Sequence, residues 1–144
     1  MTIKNGLIGG FVGSAVLAVM FVLKNMMGIT PDLDIIKMLS AMMGMSAMMA
    51  WVAHFMIGTI VWGGIFAVAN SSIPGGSQTA KGVVVGLAAW LMMEVVVMPM
   101  AGGGFFGLGF GMMGVAMPLM LHILFGAVMG FTASYLGQGD AKPA

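Results

Sequence analysis

Cysteine and arginine are both missing from this 144-residue chain. Without thiols there are no disulfides, zinc–thiolate sites, iron–sulfur clusters or thiol nucleophiles. Charge is nearly as scarce. Only 6% of residues are charged, against roughly 25% in soluble domains, too few to clothe a globular surface. Five lysines face four acids for a net charge of +1. That leaves no clustered basic face and excludes an electrostatic nucleic-acid binder. No nucleophile–base pair or cofactor motif is visible, so an enzyme is not expected.

What the chain has instead is long apolar runs. Hydrophobic residues make up 60% of it, and the mean hydropathy is +1.11. A helix crossing a hydrocarbon core of roughly 30 Å needs about 20 mostly apolar residues. Four stretches qualify, at about 5–27, 47–69, 81–98 and 113–136. Asn70–Thr79 (NSSIPGGSQT) reads as a turn, and 138–144 as a polar tail. Lys4 before an apolar run imitates a signal peptide, but no small-x-small cleavage site follows, so the first span is read as retained. Between the first two spans, Thr30 is expected to cap a helix that starts at Pro31 and runs to Met43, with Asp32 and Asp34 in its first turn. Ile36, Leu39 and Met43 share one face of it; Asp34, Lys37 and Ala41 share another. That pattern suits an amphipathic helix lying in the membrane interface, ended by Gly44. The expected fold is therefore all-α: one domain over 1–144, a four-transmembrane-helix bundle with one short interfacial helix. Lys4, Lys81 and Lys142 on one side against Lys24 and Lys37 on the other favour cytoplasmic termini.

The two halves are alike. Lys4 and Gly6-x-x-x-Gly10 open the first span, and Lys81 and Gly82-x-x-x-Gly86 open the third. The second span holds His54-x-x-x-Gly58, and the fourth His122-x-x-x-Gly126. Two tandem helix pairs would be related by a pseudo-twofold axis along the membrane normal. Small residues let helices approach closely in lipid, where burial of apolar surface supplies no drive. The glycine stripes therefore suit either packing within the bundle or a homo-oligomer interface.

Away from the lysines and tyrosine near the span ends, three ionisable side chains fall inside the spans: His54, Glu94 and His122. Such residues are costly in hydrocarbon and are functional candidates by default. Counted from the span ends, all three lie in the outer third of the membrane, where they would form one layer. Two imidazoles and a carboxylate suit zinc or copper, and two histidines on different helices suit axial ligation of a b-type haem. A His–Glu–His proton relay is a further possibility, and local hydrogen bonding, with Glu94 protonated or paired to Lys24, is the plain alternative. Pro118, one turn before His122, removes a helix bond and would open space there.

Methionine is abundant, 20 in all, and clustered towards the outer side: Met26-Met27, six between Met38 and Met49, Met92-Met93, Met98-Pro99-Met100, and Met112 to Met120. Thioethers are soft ligands that select Cu(I), but methionine also fills gaps beside glycine-rich helices. Ala101–Gly114 (AGGGFFGLGFGMMG) is too rich in glycine for a regular helix. No GK[ST] follows and no strand precedes it, so it is no phosphate loop. Phe105, Phe106 and Phe110 are expected to dip into the interface from it.

The stretches PDLDIIKMLSAMMGM (31–45), AWVAHFMIGTIVWG (50–63), MMEVVVMPMAGGGFFGLG (92–109) and HILFGAVMG (122–130) resemble a bacterial domain-of-unknown-function family of short four-helix integral membrane proteins. The likeness runs from about Ile3 to Leu136. It implies the fold, places His54, Glu94 and His122 within family-like stretches, and carries no activity. Three functions fit these residues. The first is a non-catalytic subunit or self-associating scaffold, with the bilayer and a homo-oligomer or larger complex as partners. The second is a copper-handling or haem-binding protein using His54, Glu94, His122 and the methionines. The third is a small transporter or proton relay.

Overall fold

A computed structural model describes residues 1–140. Every regular element among them is helical. Helix α1 spans Ile3–Met26, α2 Ile35–Met43, α3 Ala47–Val68, α4 Gln78–Met100, and α5 Met112–Asp140. All but α2 are long and apolar enough to cross a membrane, as expected of a multi-pass membrane protein. Residues 138–140 extend α5, and 141–144 lie outside the described residues.

Helix starts follow local chemistry. Thr2, Ser46 and Ser77 each accept a backbone N–H of the first turn, at the heads of α1, α3 and α4. The interfacial helix starts later than its sequence suggests. Thr30 is not its cap; it sits at φ 43 in a turn, and Asp34 caps instead, accepting from Ile36 and Lys37 N–H. A carboxylate satisfying two orphan donors outcompetes a hydroxyl that satisfies one. The Thr30 hydroxyl turns to the sulfur of Met117 on α5. The apolar face of α2 is also rotated: Ile36 and Met38 are buried, while Met43 is exposed.

Glycine sets the helix order. On α1, Gly6 faces Gly63 and Ala67 of α3, where a Cβ would stand 2.6 Å from the Gly63 carbonyl oxygen. One step round, Gly9 and Gly13 face Met129 and Phe125 of α5. On α4, Gly82 and Gly86 press on the backbone of Gly126 and His122. The spatial order is thus α3, α1, α5, α4. The equivalent pairs α1–α3 and α4–α5 both cross on glycine, as the repeat predicts. Among the described residues the outer helices α3 and α4 meet chiefly where Gly63–Val68 approaches Gln78–Met92. Towards the α2 end they leave a cleft floored by α1 and α5.

Two turns depart from α geometry. Ile57–Trp62 of α3 and Met93–Val97 of α4 are π-helical. Such bulges are rare and concentrate at functional sites. Both border the cleft.

Candidate metal cavity

The cleft holds a half-open cavity of about 110 Å³. His54, Ile57 and Trp62 of α3 wall one side, and Met92 and Met93 of α4 the other. Ser14 and Leu17 of α1 and His122 and Phe125 of α5 form the floor, and Ile35 and Leu39 of α2 cover it. The interfacial helix is therefore a roof.

Each histidine is oriented by one backbone carbonyl. His54 Nε2 lies 3.3 Å from the carbonyl oxygen of Ser14, and His122 Nδ1 lies 2.7 Å from that of Pro118. A carbonyl only accepts, so in both cases the ring nitrogen carries the hydrogen and donates it. In the uncharged ring the lone pair then sits on His54 Nδ1 and His122 Nε2. Ligating histidines are held in this way, one nitrogen donating to an outer partner and the other free for the metal. His54 is braced further by edge contacts with Phe21, Trp51 and Phe55, their ring centroids 5.5–5.8 Å away. The carbonyl on α1 is available because Ser14 turns its own hydroxyl to Gly10, and because Gly58 on α3 has no Cβ to collide with the Ser14 hydroxyl.

Glu94 is elsewhere. The structure brings His54 and His122 onto one cavity but does not include Glu94 in its wall. Among the described residues no three His, Asp or Glu side chains are grouped to hold a metal ion. Glu94 is fully buried, and the indole N–H of Trp90 is the polar group beside its carboxyl, outside full hydrogen-bond geometry. It points under the glycine loop, where an added Cβ on Gly107 (φ 60) would be 3.3 Å from Oε2. The Gly107 backbone also packs on the carbonyl of Gly114, the group that Pro118 leaves without its helical donor. Lys24 does not pair with Glu94. Its Nζ donates to the carbonyls of Ile29, Thr30 and Leu33, at 2.9–3.2 Å.

The glycine loop is more ordered than its composition suggests. Phe105–Phe110 is coiled into tight turns across a kink at Phe106 and Gly107, which lie at φ 55 and 60. Of the three phenylalanines, Phe105 alone is exposed; Phe106 meets Trp90, and Phe110 packs with Met98. The methionines divide as well. Met38, Met98 and Met129 are core, while Met26, Met27, Met48, Met112 and Met120 are largely exposed.

Sequence reasoning missed Ser14 as a site residue. Its contribution is a main-chain carbonyl, which no side chain announces. The role of Met92 and Met93 as cavity wall depends on helical phase, which the π turn beginning at Met93 resets.

With this geometry in hand, comparison with known proteins adds a family. A model for DUF6789, a family of unknown function, matches residues 1–143. The chain belongs to that family. No curated protein and no solved structure matches the chain. DUF6789 membership bears out the resemblance in the sequence and brings no activity with it.

Proposed function

We propose that this protein binds Cu(I) in the cavity that His54 and His122 share with Met92 and Met93. The observation that carries this reading is that two histidines, each with one ring nitrogen uncommitted among the described residues, and two methionines line one half-open cavity. Imidazole with thioether is a soft set, suited to Cu(I). Zinc prefers four ligands with carboxylate, thiolate or further imidazole, and no third such group is placed with the histidines. Volume favours an ion over haem. About 110 Å³ holds an ion with a few waters, whereas organic ligands occupy pockets from roughly 300 Å³ upwards.

In this reading the chain is a non-catalytic carrier, or a subunit of a larger copper-handling complex, in the bacterial inner membrane. With cytoplasmic termini, α2 and the cavity lie towards the outer face. The self-associating scaffold is less well supported, because the stripes of Gly6, Gly10, Gly82 and Gly86 pack within the chain. A proton relay through Glu94 lacks a link to the histidine cavity.

The test is anaerobic titration of the purified protein in detergent with Cu(I), against a chromogenic Cu(I) chelator. Wild type should withhold an equivalent that His54→Ala/His122→Ala releases while remaining folded, and Zn(II) should not replace it. Equal Cu(I) retention by both proteins would overturn the site.

A further inference from the structure

A second group of thioethers lies next to the cavity. Met43 and Met45 flank Gly44, whose φ of 62 ends α2 and turns the chain into α3. No atom lies within 4 Å of a Cβ built on Gly44, so glycine serves backbone conformation there rather than close packing. The turn brings Met43 and Met45 to one groove with Met49 and Met56 of α3, a space of about 370 Å³. Met43, Met49 and Met56 are each more than half exposed. Met49 and Met56 are seven residues apart, two turns or about 10 Å along the same face. Ile57 belongs to the wall of this groove and to that of the histidine cavity. It also begins the π turn of α3.

Lipid contact asks only for apolar surface, which Val and Leu supply elsewhere on these helices. Thioethers add lone pairs that bind Cu(I) while staying neutral. We propose that Met43, Met45 and Met49 form a capture site for Cu(I) near the α2 end. Met56 is then the next thioether on the way past Ile57 to His54 and His122. The proposal rests on the reading of the histidine cavity as a Cu(I) site. Transfer is ligand exchange alone. Thioether–copper bonds break as imidazole–copper bonds form, the ion stays Cu(I), and the uncharged imidazoles release no proton.

The experiment uses the full chain in detergent, with Ag(I) as a redox-inert probe and Cu(I) in parallel. Wild type should hold two equivalents. Met43→Leu/Met45→Leu/Met49→Leu should hold one and fill the histidine site more slowly, by about tenfold or more because the local supply is lost. His54→Ala/His122→Ala should keep the other equivalent. In that double variant, Ag(I) should protect Met43, Met45 and Met49 from peroxide oxidation, read by mass spectrometry. The protection assay on wild type repeats the test without any substitution. Full oxidation of the three methionines with Ag(I) bound, or unchanged stoichiometry and filling in the leucine variant, overturns the capture site and leaves the histidine site standing. Protection of the methionines with no equivalent lost in the histidine variant would fail the histidine site alone.

Discussion

Lys24 and Glu94 show opposite ways of keeping a charged residue type in apolar surroundings. Lys24 ends α1 by donating to three carbonyls of the turn that follows, so its stem is buried and its charge is solvated by the main chain. Lys24→Met leaves those carbonyls unsatisfied and should cost about 2 kcal/mol, the worth of hydrogen bonds to a charged group. Thermal unfolding in detergent would show it, and an unchanged midpoint would contradict the capping role. Glu94 has no carbonyl or cation against it, only the Trp90 indole beside it and out of full hydrogen-bond geometry. Replacing an unpaired buried polar group by an apolar one of similar volume is neutral or stabilising by about 1–3 kcal/mol. Glu94→Met should therefore unfold no earlier than wild type. It should also leave Cu(I) stoichiometry unchanged, since Glu94 does not wall the cavity. Loss of copper in this variant would restore the three-residue layer.

Helix packing makes an equally sharp contrast between glycines. Gly86 sits on the His122 carbonyl, and a Cβ there would collide with main chain that no rotamer change can move. Gly86→Ala should cost about 1–3 kcal/mol, as overpacking does, and should disturb the cavity through His122. Gly64 in α3 has no atom within 4 Å of the same added carbon. Gly64→Ala should be tolerated, or should gain up to about 1 kcal/mol of helix propensity. Both variants can be compared by unfolding and by Cu(I) titration. If Gly64→Ala were the damaging one, the α3–α1–α5–α4 order would be wrong.

The whole bundle is two helix pairs joined by α1 against α5, with the cleft between α3 and α4 roofed by α2. Since the glycine stripes are buried inside it, Gly6→Leu should unfold the chain rather than merely separate copies of it. Light scattering with circular dichroism distinguishes these outcomes. A folded monomer from an oligomeric wild type would place Gly6 at an interface between copies. The absence of thiols also means that any copper bound must use nitrogen, oxygen or thioether, which keeps the variants of His54, His122 and the methionines decisive.

The spans, the repeat and the glycine stripes were legible because each depends on residues close in sequence: twenty apolar positions per crossing, or glycine at every fourth place. His54 and His122 stood out for the same reason, as the two imidazoles in apolar runs. Whether they met did not follow, since a residue's bearing on a helix depends on its packing partners. Glu94 illustrates the point: a count along α4 puts it at the depth of the histidines, yet the π turn of Met93–Val97 and the glycine loop hold it outside their cavity. The start of α2 was misread at Thr30 because Lys24, nine residues before Leu33, claims the carbonyls of that turn. Composition and periodicity settle what crosses the membrane. Which side chains converge in the cleft was set by glycine contacts between distant segments, because in lipid it is close packing, not apolar burial, that chooses a helix's neighbours.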